Sequence, residues 1–116
     1  FATDIGGGTS YSMLRTMDEA YKIQQLQGER LNPLESYYFM TLGNARALSL
    51  EDRIGTLEPG TDADFIVLNM ASTPAMALKA EMVTSLTDEL FLLQTMGDDR
   101  AIIETYVAGI AAKADL

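Results

Sequence analysis

The sequence contains no cysteine and no histidine. Without cysteine the chain can form neither disulfides nor thiolate metal sites, and nothing in it indicates an oxidising compartment. Zinc sites usually use imidazole or thiolate ligands, and carboxylates alone rarely hold a transition metal. A self-contained zinc enzyme is therefore excluded in practice. The same absences exclude a nucleophile that is activated by a neighbouring histidine.

Basic residues are also scarce. Eight lysines and arginines stand against seventeen acidic residues, which gives a formal net charge of −9 at pH 7. This charge repels nucleic acid backbones and anionic membrane surfaces, so we expect neither as a partner. No apolar run approaches the roughly 18 to 20 residues that span a bilayer, and the first residues lack the features of a signal peptide. The cytoplasm is the expected location.

The 116 residues, of which 47% are hydrophobic, suffice for one domain with a core. Residues 1–5 are mostly apolar and predict a buried strand that runs into Gly6, Gly7 and Gly8, with no start methionine before it. We therefore expect the chain to be the tail of a longer protein. Asp4 lies where this strand would end, which is where barrel and parallel-sheet enzymes place their chemistry. A cap of the following turn is the alternative role for Asp4.

Capping signals predict most of the helices. Thr9, Ser10 and Ser12 offer hydroxyl groups for the N-terminus of a first helix, which stops at Gly28. A second helix opens at Asn32 and is interrupted or kinked near Gly43. A third begins at Ser85, and a short one is possible over residues 75–82. Pro59 and Gly60 predict a type II turn. Runs of β-branched and aromatic residues predict a buried strand over residues 63–68 and further strands over residues 101–107 and 110–112.

Several runs together resemble one family. The first is Thr3 to Arg15, which carries Asp4 and the three glycines. The others are TLGNARA at 41–47, IGTLEPGTDADFIVL at 54–68 and the MGDDR run at 96–100 within the segment 85–109. These runs resemble the C-terminal quarter of guanine deaminases in the amidohydrolase superfamily. The run at 54–68 is shared across that superfamily, whereas the glycine loop and the MGDDR run are the features that indicate guanine deaminases.

The resemblance implies an α/β fold, namely a C-terminal fragment of a (β/α)8 amidohydrolase barrel with part of its small β-sandwich domain. Residues 1–50 would supply the last barrel strand, the metal-ligand loop and the C-terminal barrel helices. Residues 51–116 would supply returning strands of the β-domain, with an inserted helix at about 86–96.

The resemblance also implies a metal-dependent activity. The family's metal site uses four histidines on other strands and one aspartate on the last strand, and only that aspartate has a counterpart here, Asp4. The bound metal, zinc or alternatively iron, activates a water that attacks the ring carbon bearing the amino group of guanine, which gives xanthine and ammonia. Asp4 would be both metal ligand and catalytic residue. The isolated chain is expected to bind no metal and to be inactive.

For each of the other residues of the loop, a substrate-binding role and a purely structural role are both consistent with the sequence. Gly6, Gly7 and Gly8 would bind substrate through close approach of the backbone, or they would only permit a sharp turn. Thr9 and Ser10 would contact substrate or cap the helix. The expected partners are guanine or a related purine, the missing N-terminal barrel portion and a second subunit in a homodimer. Two alternatives stay open: an acidic interaction or assembly module that folds independently, or the tail of an amidohydrolase for another aminated ring, such as a triazine or pterin.

Overall fold

A computed structural model describes residues 1–113 of the chain. Within them there are five α-helices, one short 3₁₀ helix and a three-stranded sheet, and α5 packs against α1, α2 and α4. The elements are α1 (Met13–Leu26), α2 (Pro33–Met40), α3 (Leu42–Ala47), β1 (Phe65–Leu68), α4 (Pro74–Ala80), α5 (Leu86–Met96), the 3₁₀ helix (Asp99–Ala101), β2 (Ile102–Val107) and β3 (Ile110–Ala111).

Both ends of α1 lie where the sequence predicts. The Ser12 hydroxyl accepts a hydrogen bond from the Arg15 amide and caps the first turn. Gly28 follows the last turn with φ of +81°, a left-handed conformation that glycine adopts without steric cost. The helix therefore begins and ends for local reasons that are readable in the sequence.

The second predicted helix is two short helices. Asn32 and Glu35 form the expected capping box, in which Asn32 Oδ1 accepts from the Leu34 amide at 2.9 Å and Glu35 Oε2 accepts from the Asn32 amide at 3.1 Å. The break between α2 and α3 falls at Thr41, whose φ of −116° and ψ of −103° are not helical. Gly43 follows the break, and a Cβ there would lie 2.9 Å from the Tyr38 carbonyl oxygen. The absence of a side chain lets the two helices approach closely at this corner.

The core is formed by residues from both ends of the chain. Met17 and Leu14 of α1 pack with apolar side chains of α4 and α5 and with the 3₁₀ helix. The buried cluster consists of Leu14, Met17, Met76, Leu92, Leu93 and Ala101. The Tyr21 and Phe91 rings meet edge to face at 5.2 Å beside it. This packing fixes α1, and with it the segment that precedes α1.

The sheet is antiparallel in the order β1, β2, β3. The Phe65 and Tyr106 rings stack across β1 and β2 at 4.5 Å. Ala108 and Gly109 connect β2 to β3 with positive φ at both residues, as a two-residue hairpin turn requires. Before β1, Gly60 has φ of +103° in the predicted proline–glycine turn. The predicted strands and turns are therefore present, although β1 is half-exposed rather than buried.

The predicted strand over residues 1–5 is wrong. These residues form no strand, and the Ile5 side chain is 67% exposed. A strand requires the backbone of a neighbouring strand, and none lies beside this segment within residues 1–113. The segment is held by side-chain contacts instead.

Candidate functional site

The loop that carries Asp4 is a tight backbone turn, defined here as the Asp4 loop, residues 3–8. The Asp4 carbonyl accepts hydrogen bonds from the Gly7 amide at 2.9 Å and from the Gly8 amide at 2.5 Å. Asp4 itself has φ of +47°, a left-handed conformation that aspartate tolerates better than most residues. The conformation turns the chain sharply at the residue that bears the carboxylate.

The three glycines of the loop have distinct structural roles. Gly6 has φ of +104°, which favours glycine although a Cβ there would meet nothing within 4 Å. A Cβ on Gly7 would lie 2.6 Å from Asp4 Oδ2, and one on Gly8 would lie 1.8 Å from the Thr3 carbonyl oxygen. The turn thus requires glycine at these positions. Their predicted role in binding substrate is independent of this requirement and stays a prediction.

The hydroxyls after the loop make local hydrogen bonds. Ser10 Oγ accepts from the Ser12 amide at 3.1 Å, next to the cap that Ser12 itself provides. A shallow depression of about 190 Å³ lies beside these residues. Its lining consists of Ile5, Gly6, Gly8, Thr9, Ser10 and Tyr11. Ser12, and neither Thr9 nor Ser10, caps the first turn of α1. The depression offers backbone and hydroxyl groups to a ligand.

The Asp4 carboxylate is exposed, and within residues 1–113 it makes no hydrogen bond or ion pair. It is therefore free to bind a cation. The described residues contain no group of three or more aspartate, glutamate, histidine or cysteine side chains that could hold a metal ion. Asp4 fits a metal as one ligand, and the remaining ligands of such a site would have to come from other residues.

The MGDDR run has a structural role in the fold. The Arg100 guanidinium donates to both carboxylate oxygens of Asp98, and these hydrogen bonds hold the pKa of that carboxyl below its ordinary value. Asp98 also accepts from the Arg100 amide and caps the 3₁₀ helix. A Cβ on Gly97 would lie 2.3 Å from the Leu93 carbonyl oxygen and 3.0 Å from Leu14 Cδ1. The run thus lets the end of α5 pack closely against α1.

Asn44 is a residue of the site that no local sequence pattern indicates. Its side-chain amide contacts Phe1, three residues before Asp4: Asn44 Oδ1 accepts from the Phe1 nitrogen at 2.8 Å, and Nδ2 donates to the Phe1 carbonyl at 2.6 Å. The two residues are 43 positions apart, and no local pattern indicates such a contact. Only the TLGNARA run, singled out for its resemblance, pointed to this part of the chain.

Comparisons with known proteins show which family the chain resembles. The model of the amidohydrolase family matches residues 1–111. Guanine deaminase of Escherichia coli (strain K12) is 50% identical over 92% of this chain and 24% of its own length. Guanine deaminase of Homo sapiens is 32% identical over 92% of this chain and 26% of its own. The solved structure of the E. coli enzyme superposes with a TM-score of 0.94 at 47% identity, over 98% of this chain and 27% of the other.

These matches define the class of protein, an amidohydrolase fold with the carboxylate loop at one end of the chain. The chain belongs to the amidohydrolase family. The resemblance to guanine deaminases is confirmed, and the chain spans about a quarter of the length of the curated relatives it matches. No helix within the described residues is both long enough and apolar enough to cross a membrane.

Proposed function

We propose that this chain is the C-terminal part of a metal-dependent guanine deaminase that hydrolyses guanine to xanthine and ammonia. The observation that carries the proposal is the similarity to guanine deaminases along 92% of the chain, at 50% identity to the E. coli protein. The free carboxylate of Asp4 on its tight loop supports it from the structure. The proposed layout assigns residues 1–50 to the barrel and residues 51–116 to part of a small β-domain. In this proposal residues 1–5 would form the last barrel strand only beside the neighbouring strands of the missing barrel portion.

Asp4 is the catalytic residue of the proposal. Its carboxylate would serve as one ligand of a metal, zinc or alternatively iron, that activates water when bound. The same carboxylate is free to accept a proton from the water and to pass it toward the departing amino group. This requires Asp4 to change its protonation during turnover, so the isosteric amide cannot replace it. The isolated chain would be inactive because a single carboxylate does not hold the metal.

Other parts of the proposal follow from the same similarity. Gly6, Gly7 and Gly8 would approach guanine through their backbone beside the depression described above. The N-terminal barrel portion would provide the remaining metal ligands and most of the pocket, and two such proteins would form a homodimer. We propose a cytoplasmic enzyme of purine catabolism. Related aminated rings, such as triazines or pterins, are the alternative substrates.

The test compares the 116-residue chain with the full-length protein, each supplied with zinc. Loss of guanine and appearance of xanthine are followed in both. We expect activity only in the full-length protein, and we expect Asp4→Asn to reduce it there by roughly a hundred- to ten-thousand-fold because the general acid–base is lost. Asp52→Asn is the matched control, since Asp52 is also exposed and forms no hydrogen bond within residues 1–113. Activity of the short chain alone, or an active Asp4→Asn variant, would contradict the proposal.

A second candidate function rests on exposed apolar side chains. A groove of about 600 Å³ runs between α3 and β1, and its lining includes Leu48, Leu57 and Ile66. Leu57 is 71% exposed and Leu48 is 68% exposed. Such a surface favours association, either with the rest of a longer protein or with another copy of an acidic assembly module. Sedimentation of the isolated chain and a deaminase assay of the full-length protein together separate the two. A discrete oligomer of the isolated chain, with no deaminase activity in the full-length protein, would favour the module.

A further inference from the structure

The side-chain amide of Asn44 forms hydrogen bonds with both the nitrogen and the carbonyl oxygen of the Phe1 backbone. Oδ1 accepts from the Phe1 nitrogen at 2.8 Å, and Nδ2 donates to the Phe1 carbonyl at 2.6 Å. The amide thus offers the donor and the acceptor that a residue of a neighbouring strand would offer. We infer that Asn44 is a positioning residue for Asp4, holding in place the segment that bears this carboxylate. The inference rests on the proposed function, in which Asp4 is the catalytic residue.

Within residues 1–113, Asn44 differs from the other asparagines because its side chain both donates and accepts a hydrogen bond. The sequence has two other asparagines, Asn32 and Asn69. Within residues 1–113, the side chain of each is only an acceptor: Asn32 Oδ1 accepts from the Leu34 amide and Asn69 Oδ1 from the Ala71 amide. Aspartate could replace either of them in that role, because a carboxylate also accepts. At Asn44 the donor is needed, since a carboxylate there would face the Phe1 carbonyl with like partial charge.

Phe1 is fixed by a second contact on the same side. Its ring packs against the Phe39 ring at a centroid distance of 5.5 Å, and its nitrogen also lies 3.2 Å from the Phe39 carbonyl oxygen. The Phe1 nitrogen is an ammonium group here and would be a peptide N–H in a longer polypeptide, whereas the hydrogen bond from Asn44 Nδ2 to the Phe1 carbonyl is the same in both. Phe1 is therefore held by two helices, by α2 through Phe39 and by α3 through Asn44.

The other end of the segment is fixed by the loop itself. The Asp4 carbonyl accepts from the Gly7 and Gly8 amides, and Gly8 packs against the Thr3 carbonyl so closely that a Cβ would not fit. Only Ala2 and Thr3 lie between Phe1 and Asp4. With so few bonds between the two anchors, a shift of Phe1 must move the Asp4 backbone or break the turn. Asn44 therefore controls where the carboxylate lies without touching substrate or metal.

The test uses Asn44→Asp in the full-length protein, with Asn69→Asp as the matched control. Asn44→Asp keeps the size of the side chain, removes the donor and adds a negative charge, which the control Asn69→Asp also adds. We expect the fold to be retained, as circular dichroism and thermal melting would verify. We expect kcat to fall roughly five- to hundredfold, as the loss of one or two hydrogen bonds implies, while KM stays within about twofold. Asn69→Asp should leave both constants unchanged. Asn44→Ala should also lower kcat.

A second readout does not depend on activity. Hydrogen–deuterium exchange of the segment 1–10 reports the Gly7 and Gly8 amides, which the turn protects. We expect exchange there to be roughly five- to tenfold faster in Asn44→Asp and unchanged in Asn69→Asp. Unchanged exchange in a folded Asn44→Asp would overturn the inference even if kcat fell. If the wild-type protein deaminates no guanine, the proposed function fails, while the exchange experiment still decides whether Asn44 positions the Asp4 segment.

Discussion

The Asp4 loop and the helical core are built by different means. The core is defined by burial: Met17 and Met76 have no exposed surface, and apolar contacts among four elements exclude water. The Asp4 loop is exposed and is defined by backbone conformation, by two amide hydrogen bonds and by the lack of room for a side chain on Gly7 and Gly8. Stability and proposed activity therefore depend on separate residues, and single substitutions should affect one without the other.

Among substitutions that leave Asp4 itself in place, the largest effect is expected from Gly8→Ala. The new Cβ would lie 1.8 Å from the Thr3 carbonyl oxygen, so the turn must open and the Asp4 carboxylate must move. A displacement of about 1 Å costs roughly a hundredfold in rate, so we expect guanine deamination by the full-length protein to fall at least this much. The melting temperature should change little because the loop is exposed. A Gly8→Ala variant with normal activity would show that the turn is unnecessary for function.

Gly6→Ala separates the effect of backbone strain from the effect of a steric clash. Gly6 has open space around a Cβ but a φ of +104°. Alanine there is strained without a clash, at a cost of roughly 1 to 2 kcal/mol. The decline in activity should therefore be clearly smaller than that of Gly8→Ala. Equal effects of the two variants would indicate that flexibility, rather than the close contact of Gly8 with Thr3, sets the position of Asp4.

Met17→Ala should show the opposite behaviour. Removing this fully buried side chain leaves a cavity between α1, α4 and α5, which lowers the free energy of unfolding by about 2 to 5 kcal/mol. The activity of the folded fraction should stay close to that of the wild type. Met82→Ala is the control, since Met82 is 69% exposed and its truncation should change the stability by less than about 0.5 kcal/mol. Urea unfolding measures both, and equal costs would contradict the packing described here.

The smallest effect is expected from Tyr37→Phe. The Tyr37 hydroxyl is buried and has no hydrogen-bond partner within residues 1–113, and burial, aided by the negative charge of Glu89, raises its pKa above the ordinary value of 10. Removing the unpaired hydroxyl should raise the free energy of unfolding by about 1 kcal/mol at neutral pH. A loss of stability would show that the hydroxyl has a partner in solution.

The pH dependence of stability provides the control for Tyr37. Because the folded-state pKa is raised, the contribution of this tyrosine is fully present below pH 10 and is lost as the pH rises from 10 toward the folded-state pKa. The wild type should therefore lose stability above pH 10 more steeply than Tyr37→Phe.

The parts of the fold that the sequence predicted well are those set by neighbouring residues. The caps at Ser12, at Asn32 with Glu35 and at Ser85 depend on side chains within three positions of the helix they begin, and each is present. Gly28 and Gly60 have the positive φ expected of them for the same reason. Local chemistry determines these features before any tertiary contact forms.

The parts that could not be predicted depend on distant residues. An apolar run at residues 1–5 predicts a strand, but a strand forms only if other strands lie beside it. The attachment of Phe1 to Asn44 joins residues 43 positions apart, and no pattern in either segment indicates it. For the candidate site, the residue type and place of Asp4 were readable, but its left-handed conformation and its anchoring were not. The roles of Asp4 and of the three glycines in chemistry stay predictions.

The contact between α1 and α5 has a consequence for the order of events during synthesis. Gln94 Nε2 donates to the Met17 carbonyl across 77 positions of sequence. At roughly 5 to 20 residues per second, the ribosome needs about 4 to 15 s to reach Gln94 after it has added Met17. Throughout this interval the apolar side of α1 has no α5 to cover it. The surface of α1 that α5 covers in the folded chain is therefore without this contact for seconds during synthesis.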